Sequence, residues 1–467
     1  MVLDVSIVKN ITTLKTILNT EHNFDIVFRD FQIAGRRACL FFIDGYVKDE
    51  SITKLYQGFL RIGQTGLTSM KQFCEICVPF CDVSVGTDVD RAVTSVLSGR
   101  VILLIDGLDQ AAEVDMRSYP QRPTGEPDKE KVMRGSKDGF VETLVLNCAL
   151  IRRRIRCPDL CIEYMQMGKT SKTDIGICYM NGRVDKKLLR RIKNRMQTAK
   201  NTDALTMNQQ SLADLLVGRS WINPFPKFRY TERVDTACAQ ILEGDIIILI
   251  DNAPSAMMLP VSFFDGMEEA NDFYFPPITG SYMKLVRYVM VILIAFGTPL
   301  WLLFLQNPQI VPESLKFILI DTSANVPIVV QLLIIEVLVD GLKLASLNTP
   351  TMMTTTMGLI GGIVVGDFAV GTGWVCGEVL LYSAVIATAT FSLPSYEISY
   401  AVKFLRMVML ITTALFNVWG FVGGVVFSIL CLALNKTTAG FTYLFPLVPF
   451  NGRKLLEKFF RIKQGNR

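Results

Sequence analysis

Between Val286 and Leu434 the chain runs for 149 residues with only 12 charged side chains, about 8%. The other 318 residues carry the remaining 79 of 91, about 25%. Roughly 20 apolar residues suffice for a helix to cross a ~30 Å hydrocarbon layer. The charge distribution therefore predicts a polar globular part followed by a helical, bilayer-embedded part, and excludes a simple soluble enzyme. The single histidine, His22, leaves Ser-His-Asp relays and multi-histidine metal sites without their main component, so no catalytic residue, metal or cofactor is expected. A net charge of +5, with acids and bases evenly mixed, gives no nucleic-acid footprint. The start, MVLDVSIVKN, lacks a basic segment followed by an apolar core, so no signal peptide is expected. The first ~280 residues are then expected in the reducing cytosol with free thiols. Cys74, Cys77 and Cys81 have neither a second CxxC nor a nearby histidine and read as small buried hydrophobes rather than metal ligands.

The polar part repeats itself. Four apolar, β-branched runs each end in a turn signal: RRACLFFIDGYVKDE, GRVILLIDGLDQAA, KTDIGICYMNGRVDKK and GDIIILIDNAPSAM. Asp-Gly, Asn-Gly or Asp-Asn closes each run, where the backbone is expected to take positive φ. Gly45 precedes Gly182 by 137 residues and Gly107 precedes Asn252 by 145. Similar strands in the same order at similar spacing predict a duplicated α/β unit. Helical periodicity around Ser51–Arg61, Lys187–Thr198 and Ser211–Val217 fills the gaps. The expected domains are an α/β lobe over 1–145, a second lobe over 146–280, a multi-pass helical transmembrane domain over 281–450 and a basic cytoplasmic tail over 451–467.

The densest polar chemistry lies between the lobes, from Arg134 to Arg156. Asp138 and Glu142, at i and i+4, are expected on one helix face, with Arg152, Arg153, Arg154 and Arg156 at its C-terminal end, where positive charge suits the helix dipole. An interlobe ion-pair lattice is the favoured reading, and a subunit or anion contact the other. GKT at Gly168–Thr170 is not a phosphate loop, because Glu163 stands where that pattern needs glycine.

In the apolar part, Val286–Leu305 is long enough to span, with Arg287 at its start and Tyr288, Trp301 and Phe304 toward its ends. Thr356–Thr372 and Val379–Leu393 read as a hairpin, and Met407–Leu434 is long enough to tilt or to break near Trp419-Gly420. The segment Val326–Ala345 is the unusual one. It carries Gln331, Glu336, Asp340 and Lys343, and the last three share one helical stripe. An acid at bilayer depth costs ~2.5–3.5 kcal/mol on insertion scales and normally faces water or a partner. The helix lies in the interface, makes a buried pair of Asp340 with Lys343, or walls an aqueous pore. Asp367, beside glycines 358, 362 and 366, is a second candidate for an ion path, with a hydrogen bond to threonines of a neighbouring helix as the alternative. An unexported N-terminus and a basic tail place both ends in the cytoplasm, which needs an even number of crossings. Four is the simplest count, leaving Lys403 and Arg406 on the outer side; a broken last segment offers six.

Several long runs resemble the GerA family of spore germination membrane proteins. They are Ser118–Arg156, GKTSKTDIGICY, INPFPKFRYTERVD, VPIVVQLLIIEVLVDGLKLASLNTPT and TYLFPLVPFNGR, in order over nearly the whole chain. Ser118-Tyr119-Pro120, Arg229–Arg233 and Ala345-Ser346-Leu347 resemble the branch placed with calcium–dipicolinate release, with the A subunits of nutrient germinant receptors as near relatives. The resemblance implies a protein of the endospore inner membrane, a homo-oligomeric ring of five, a second spore membrane protein as partner, and an ion-conducting centre. It makes Glu336, Asp340 and Asp367 cation-path candidates, since carboxylate rings favour cations. The competing expectation is a non-conducting signalling or scaffold component of receptor A-subunit type.

Overall fold

The computed structural model describes residues 1–59, 69–80, 82–119, 135–202, 208–217, 223–320, 325–348, 358–359, 361–362, 366 and 369–461. Cys81 and eight of the seventeen residues of Thr356–Thr372, Asp367 among them, lie outside these residues. The chain forms two compact units, one of residues 1–219 and 228–260 and one of residues 220–227 and 261–467.

The first unit holds two five-stranded antiparallel sheets of one topology. The first comprises β1 (Ile26–Ile33), β2 (Arg36–Ile43), β3 (Val83–Gly86), β4 (Val101–Ile105) and β5 (Ala111–Val114), in the order β1-β2-β4-β5-β3. The second comprises β6 (Leu160–Met167), β7 (Thr173–Met180), β8 (Arg229–Thr231), β9 (Ile246–Ile250) and β10 (Ala256–Leu259), in the matching order β6-β7-β9-β10-β8. The turns that suggested the duplication all take positive φ: Gly45, Gly107 and Gly182 at 81°, 84° and 87°, and Asn252 at 64°. Asparagine tolerates that region better than other side chains, which is how it stands in for glycine in the second copy.

Helices cover both faces of the first sheet, so β4 (VILLI) is buried throughout and reads as a continuous apolar run rather than an alternation. The helices α1 (Ile7–Ile17) and α4 (Val89–Leu97) pack with Cys39, Phe41, Ile102 and Leu104 on one face. On the other, α2 (Asp49–Phe59) and α3 (Met70–Cys77) pack with Leu40, Val101, Leu103 and Ile105. Cys74 and Cys77 are buried in that second cluster, and burial pushes the Cys74 thiol up to about 11. In the second sheet, α5 (Leu144–Arg154) and α8 (Val234–Glu243) cover Cys178, Met180, Ile247 and Leu249. The helix α6 (Lys186–Ala199) starts where the Asp185 carboxylate accepts the N–H groups of Lys187 and Leu188, and α7 (Gln209–Val217) packs beside it. Ala149 of α5 packs in the first lobe's core, while Leu144, Cys148 and Ile151 of the same helix pack in the second. Gly168 of GKT turns the β6–β7 hairpin at φ 89°, a strand-to-strand connection with no helix to receive a phosphate.

The second unit is helical. The short α9 (Ala270–Tyr274) leads into α10 (Pro277–Gln306), followed by α11 (Ile328–Asn348), α12 (Gly377–Phe391), α13 (Tyr396–Ala433) and α14 (Gly452–Phe459). Two of these, α10 and α13, are long and apolar enough to cross a membrane, and most of their apolar surface is not covered by protein. Trp419 is 81% exposed, with Leu415 and Phe416 close behind. Trp301 differs from the expected interfacial anchor: it is buried and donates its indole N–H to the Ile318 carbonyl at 2.9 Å. The break expected near Trp419-Gly420 falls at Asn417, whose φ 50° and ψ −130° are not helical. There α13 folds back on itself. Gly424 lies against Met409, the Thr412 hydroxyl donates to the Gly420 carbonyl at 3.0 Å, and a Cβ at Gly420 would fall on the Thr412 carbonyl. Two antiparallel arms meeting this closely need glycine at the crossing.

Candidate functional site

In α11 the helical repeat brings Glu336 and Asp340 to one stripe, as the i, i+4 spacing requires. Opposite them α13 presents Lys403 and Arg406, one turn apart. The Lys403 ammonium donates to Asp340 Oδ2 at 2.5 Å, lies 2.9 Å from Glu336 Oε2, and reaches the Glu336 backbone carbonyl at 3.4 Å. Arg406 Nη2 donates to Glu336 Oε1, and its Nη1 donates to the Ile294 carbonyl of α10 at 3.4 Å. Both cations are almost fully buried, Arg406 at 2% exposure. Carrying four charges out of water costs several kcal/mol per ion, and only alternation of sign with near-complete hydrogen bonding offsets it. The negative charges of Glu336 and Asp340 are thus matched one for one inside the chain.

Lys343 does not pair with Asp340, as one of the three readings had it. Its ammonium lies over the rings of Phe391 and Tyr400, 4.7 and 5.5 Å from their centroids, while Lys403 holds the carboxylate. Nor are Lys403 and Arg406 isolated charges. They are the counter-charges of the acidic stripe. A signal for this existed: two bases in an otherwise apolar helix need partners as much as two acids do. Asp367 lies outside the described residues.

Gln331, fully buried, clamps the start of α11. Its Nε2 donates to the Val326 carbonyl at 2.7 Å, and its Oε1 accepts the Cys376 N–H at 2.8 Å. The start of α11 thus sits beside the start of α12, and Lys343 near the end of α11 sits beside Phe391 at the end of α12, so the two helices run parallel. The first arm of α13 runs the other way, from Tyr400 beside Lys343 to Asn417. There Asn417 Nδ2 donates to Asn307 Oδ1 at 3.2 Å at the end of α10, and the amide of Asn307 returns the bond. Below the apolar part of α10, Arg287 donates to Asp272 and Glu269 at 2.7 and 2.8 Å. Lys458 of α14 lies 2.5 Å from Asp265 and 3.2 Å from Glu268.

The second polar cluster joins the two lobes. Arg152 of α5 is fully buried: its Nε donates to Asp25 Oδ2 at 2.8 Å, and its Nη2 to Asp25 Oδ1 at 3.0 Å and Asn23 Oδ1 at 2.8 Å. Its Nη1 reaches the carbonyls of Leu160 and Cys157 at 3.2 and 3.5 Å. Arg153 lies over the Tyr119 ring at 5.1 Å, Arg154 lies 3.9 Å from Asp138, and Arg156 donates to the Arg153 carbonyl at 3.3 Å. Asp138 and Glu142 do not share a helix face, contrary to their spacing. The helix starts only at Leu144, whose N–H is taken by Asp251 at 3.0 Å; the Glu142 side chain is exposed, and its carbonyl accepts the Asn252 N–H at 2.7 Å. Beside this joint, Glu163 accepts from Lys193 at 2.5 Å and from the Tyr179 hydroxyl at 2.5 Å, with His22 Nδ1 at 3.0 Å. Burial works to raise the Glu163 pKa. The Lys193 and Tyr179 hydrogen bonds and the Lys193 and His22 charges outweigh it and hold the carboxyl below its ordinary value. Asp25, Asn23 and Glu163 lack any local sequence signal, since each meets its partner across more than a hundred residues or an adjoining strand.

The family described as Bacillus/Clostridium GerA spore germination protein matches residues 12–466. Stage V sporulation protein AF of Bacillus subtilis (strain 168) is 34% identical over 97% of this chain and 92% of its own length. Spore germination protein GerLA of Bacillus cereus is 25% identical over 94% of this chain and 90% of its own. Spore germination protein KA of Bacillus subtilis (strain 168) is 26% identical over 90% and 75%. The crystal structure of the N-terminal domain of the A subunit of the Bacillus megaterium spore germinant receptor GerK3 aligns with TM-score 0.45 and 26% identity, covering 56% of this chain and 98% of that one. With a family match across nearly its full length and a 34% identical relative spanned almost end to end, the chain belongs to the GerA family of spore germination proteins.

Proposed function

We propose that this protein is one subunit of a homo-oligomeric, ion-conducting assembly in the spore inner membrane, active during germination. The observation that supports it best is the lattice of Glu336, Asp340, Lys403 and Arg406 between helices of an otherwise apolar unit. Charge at bilayer depth is expensive and recurs where ions or protons move. The opposed directions of α11 and the first arm of α13, the fold-back at Asn417, and the parallel run of α11 and α12 support six crossings with both ends on the core side. In this reading the lattice holds the route closed, and conduction requires Glu336 to exchange Arg406 and Lys403 for water. The ring of five and a second spore membrane protein as partner come from the family resemblance.

The test is ion flux into liposomes carrying the purified protein, for wild type and for Glu336→Gln/Asp340→Asn. Altered flux in the variant supports conduction through this core; equal, absent flux in both refutes it. A non-conducting A-subunit type of role is the second reading. It is favoured by the fact that each carboxylate already has a cation of its own chain, as a packing clasp would. Mass measurement of the detergent-solubilised protein decides whether a closed ring exists at all.

A further inference from the structure

Among the described residues, the same core carries more positive charge than its carboxylates absorb. Where α11, α12 and α13 meet, a small cleft is lined by Glu336, Lys343, Ser383, Thr390, Lys403 and Arg406. Three cations face this region and two carboxylates, Glu336 and Asp340, oppose them, which leaves one positive charge uncompensated among the described residues. A count of donors locates it. Lys403 spends all three of its N–H groups on Glu336 and Asp340. Arg406 spends two of its five, on Glu336 and the Ile294 carbonyl. Lys343 makes no ion pair among the described residues; its ammonium lies over the faces of Phe391 and Tyr400. Ser383 lines the cleft at 5% exposure, and its hydroxyl oxygen is buried with no hydrogen-bond partner among the described residues. Thr390 spends its hydroxyl proton on the Ile386 carbonyl. The small side chains of α12 at Ser383, Ala387 and Thr390 leave the space open.

We infer that this cleft is an anion site, built for one small monovalent anion such as chloride. The anion would take the Ser383 hydroxyl proton and unspent N–H groups of Lys343 and Arg406, and its charge balances the excess. Asp340 does not line the cleft. Its Oδ2 is held by Lys403, and its Oδ1 is buried without a donor among the described residues; Glu336 does line the cleft, with its Oε1 held by Arg406 and its Oε2 by Lys403. This assignment deepens the conduction reading by naming the charge class of the ion the core holds. It runs opposite to a cation path drawn from the carboxylates alone.

The test uses the full-length protein in detergent, with chloride exchanged for gluconate at constant ionic strength. We expect the melting temperature to rise saturably with chloride and radiolabelled chloride to bind at one ion per chain. Both effects should be lost in Lys343→Gln and weakened in Ser383→Ala, and kept in Lys54→Gln on the exposed face of α2. If a variant does not fold, the wild-type binding isotherm alone still decides. Equal melting in chloride and gluconate with no bound label overturns the inference, as does a shift that follows sodium or potassium instead. A shift produced by phosphatidylglycerol but not by chloride also overturns it, since Lys343 would then serve a lipid headgroup. Chloride binding without flux refutes conduction and leaves this site standing; flux with no chloride binding does the reverse.

Discussion

Replacing Asp25 by asparagine keeps the volume of the side chain and removes its charge, which leaves Arg152 as an uncompensated cation in the joint between the lobes. Arg152 is fully buried and makes five hydrogen bonds of 2.8 to 3.5 Å, two of them to Asp25. Removing one partner of a buried ion pair costs ~3–5 kcal/mol. Asparagine still accepts one hydrogen bond, so the lower end, about 3 kcal/mol, is expected for Asp25→Asn. At 1.4 kcal/mol per decade this raises the open population about a hundredfold. Arg152→Met should cost a similar amount, because it strands the Asp25 carboxylate. The double replacement Asp25→Leu/Arg152→Met should recover most of the loss, since apolar residues of similar volume often substitute for a buried pair without penalty. The tryptophans all lie outside the first unit, so fluorescence does not report on it. Native-state hydrogen exchange of amides in β7 and β9, read by mass spectrometry of the full-length protein, does. A loss under 1 kcal/mol for Asp25→Asn, or a double variant as damaged as the sum of the singles, would refute the argument.

Gly420→Leu places a side chain where the Thr412 carbonyl lies; overpacking of this kind costs ~1–3 kcal/mol or more, so the folded yield in detergent should fall sharply. At Asn417, with φ 50°, thermal stability should rank asparagine and glycine above alanine and alanine above valine. Glycine relieves the backbone but loses the Asn307 pair, and a β-branched residue is strained there. Glu163 is ionised more easily in the folded protein than in the unfolded chain. Its contribution is therefore complete above the ordinary glutamate range and is lost as pH falls through the depressed folded value. The stability gap between wild type and Glu163→Gln, measured by urea titration, should shrink from about pH 6 to about pH 3; a gap that widens on acidification contradicts the assignment.

What could be read from the residues followed their range. The four turns at Gly45, Gly107, Gly182 and Asn252 are written in adjacent residues, and each takes the predicted positive φ. The strand order is not local. It depends on β2 choosing β4 over β3, a pairing set by burial on both faces of VILLI. The arginine run was legible as a joint, yet Asp25 lies 127 residues from Arg152 and nothing near it announces the match. Asp138 and Glu142 misled because i, i+4 spacing says nothing unless a helix is present, and Asp251 caps this one later. In the apolar half, the acidic stripe is visible in the sequence while its pairing with Lys403 and Arg406 is not, since an isolated helix gives no account of what faces it.

Because Ala149 belongs to one hydrophobic cluster and its neighbours on α5 to the other, neither repeat can melt without stripping a wall from its twin. The tandem copies therefore share a single fate on heating or under force: one sharp transition rather than two. A deletion that keeps either lobe alone and cuts α5 leaves an open apolar seam instead of half a protein.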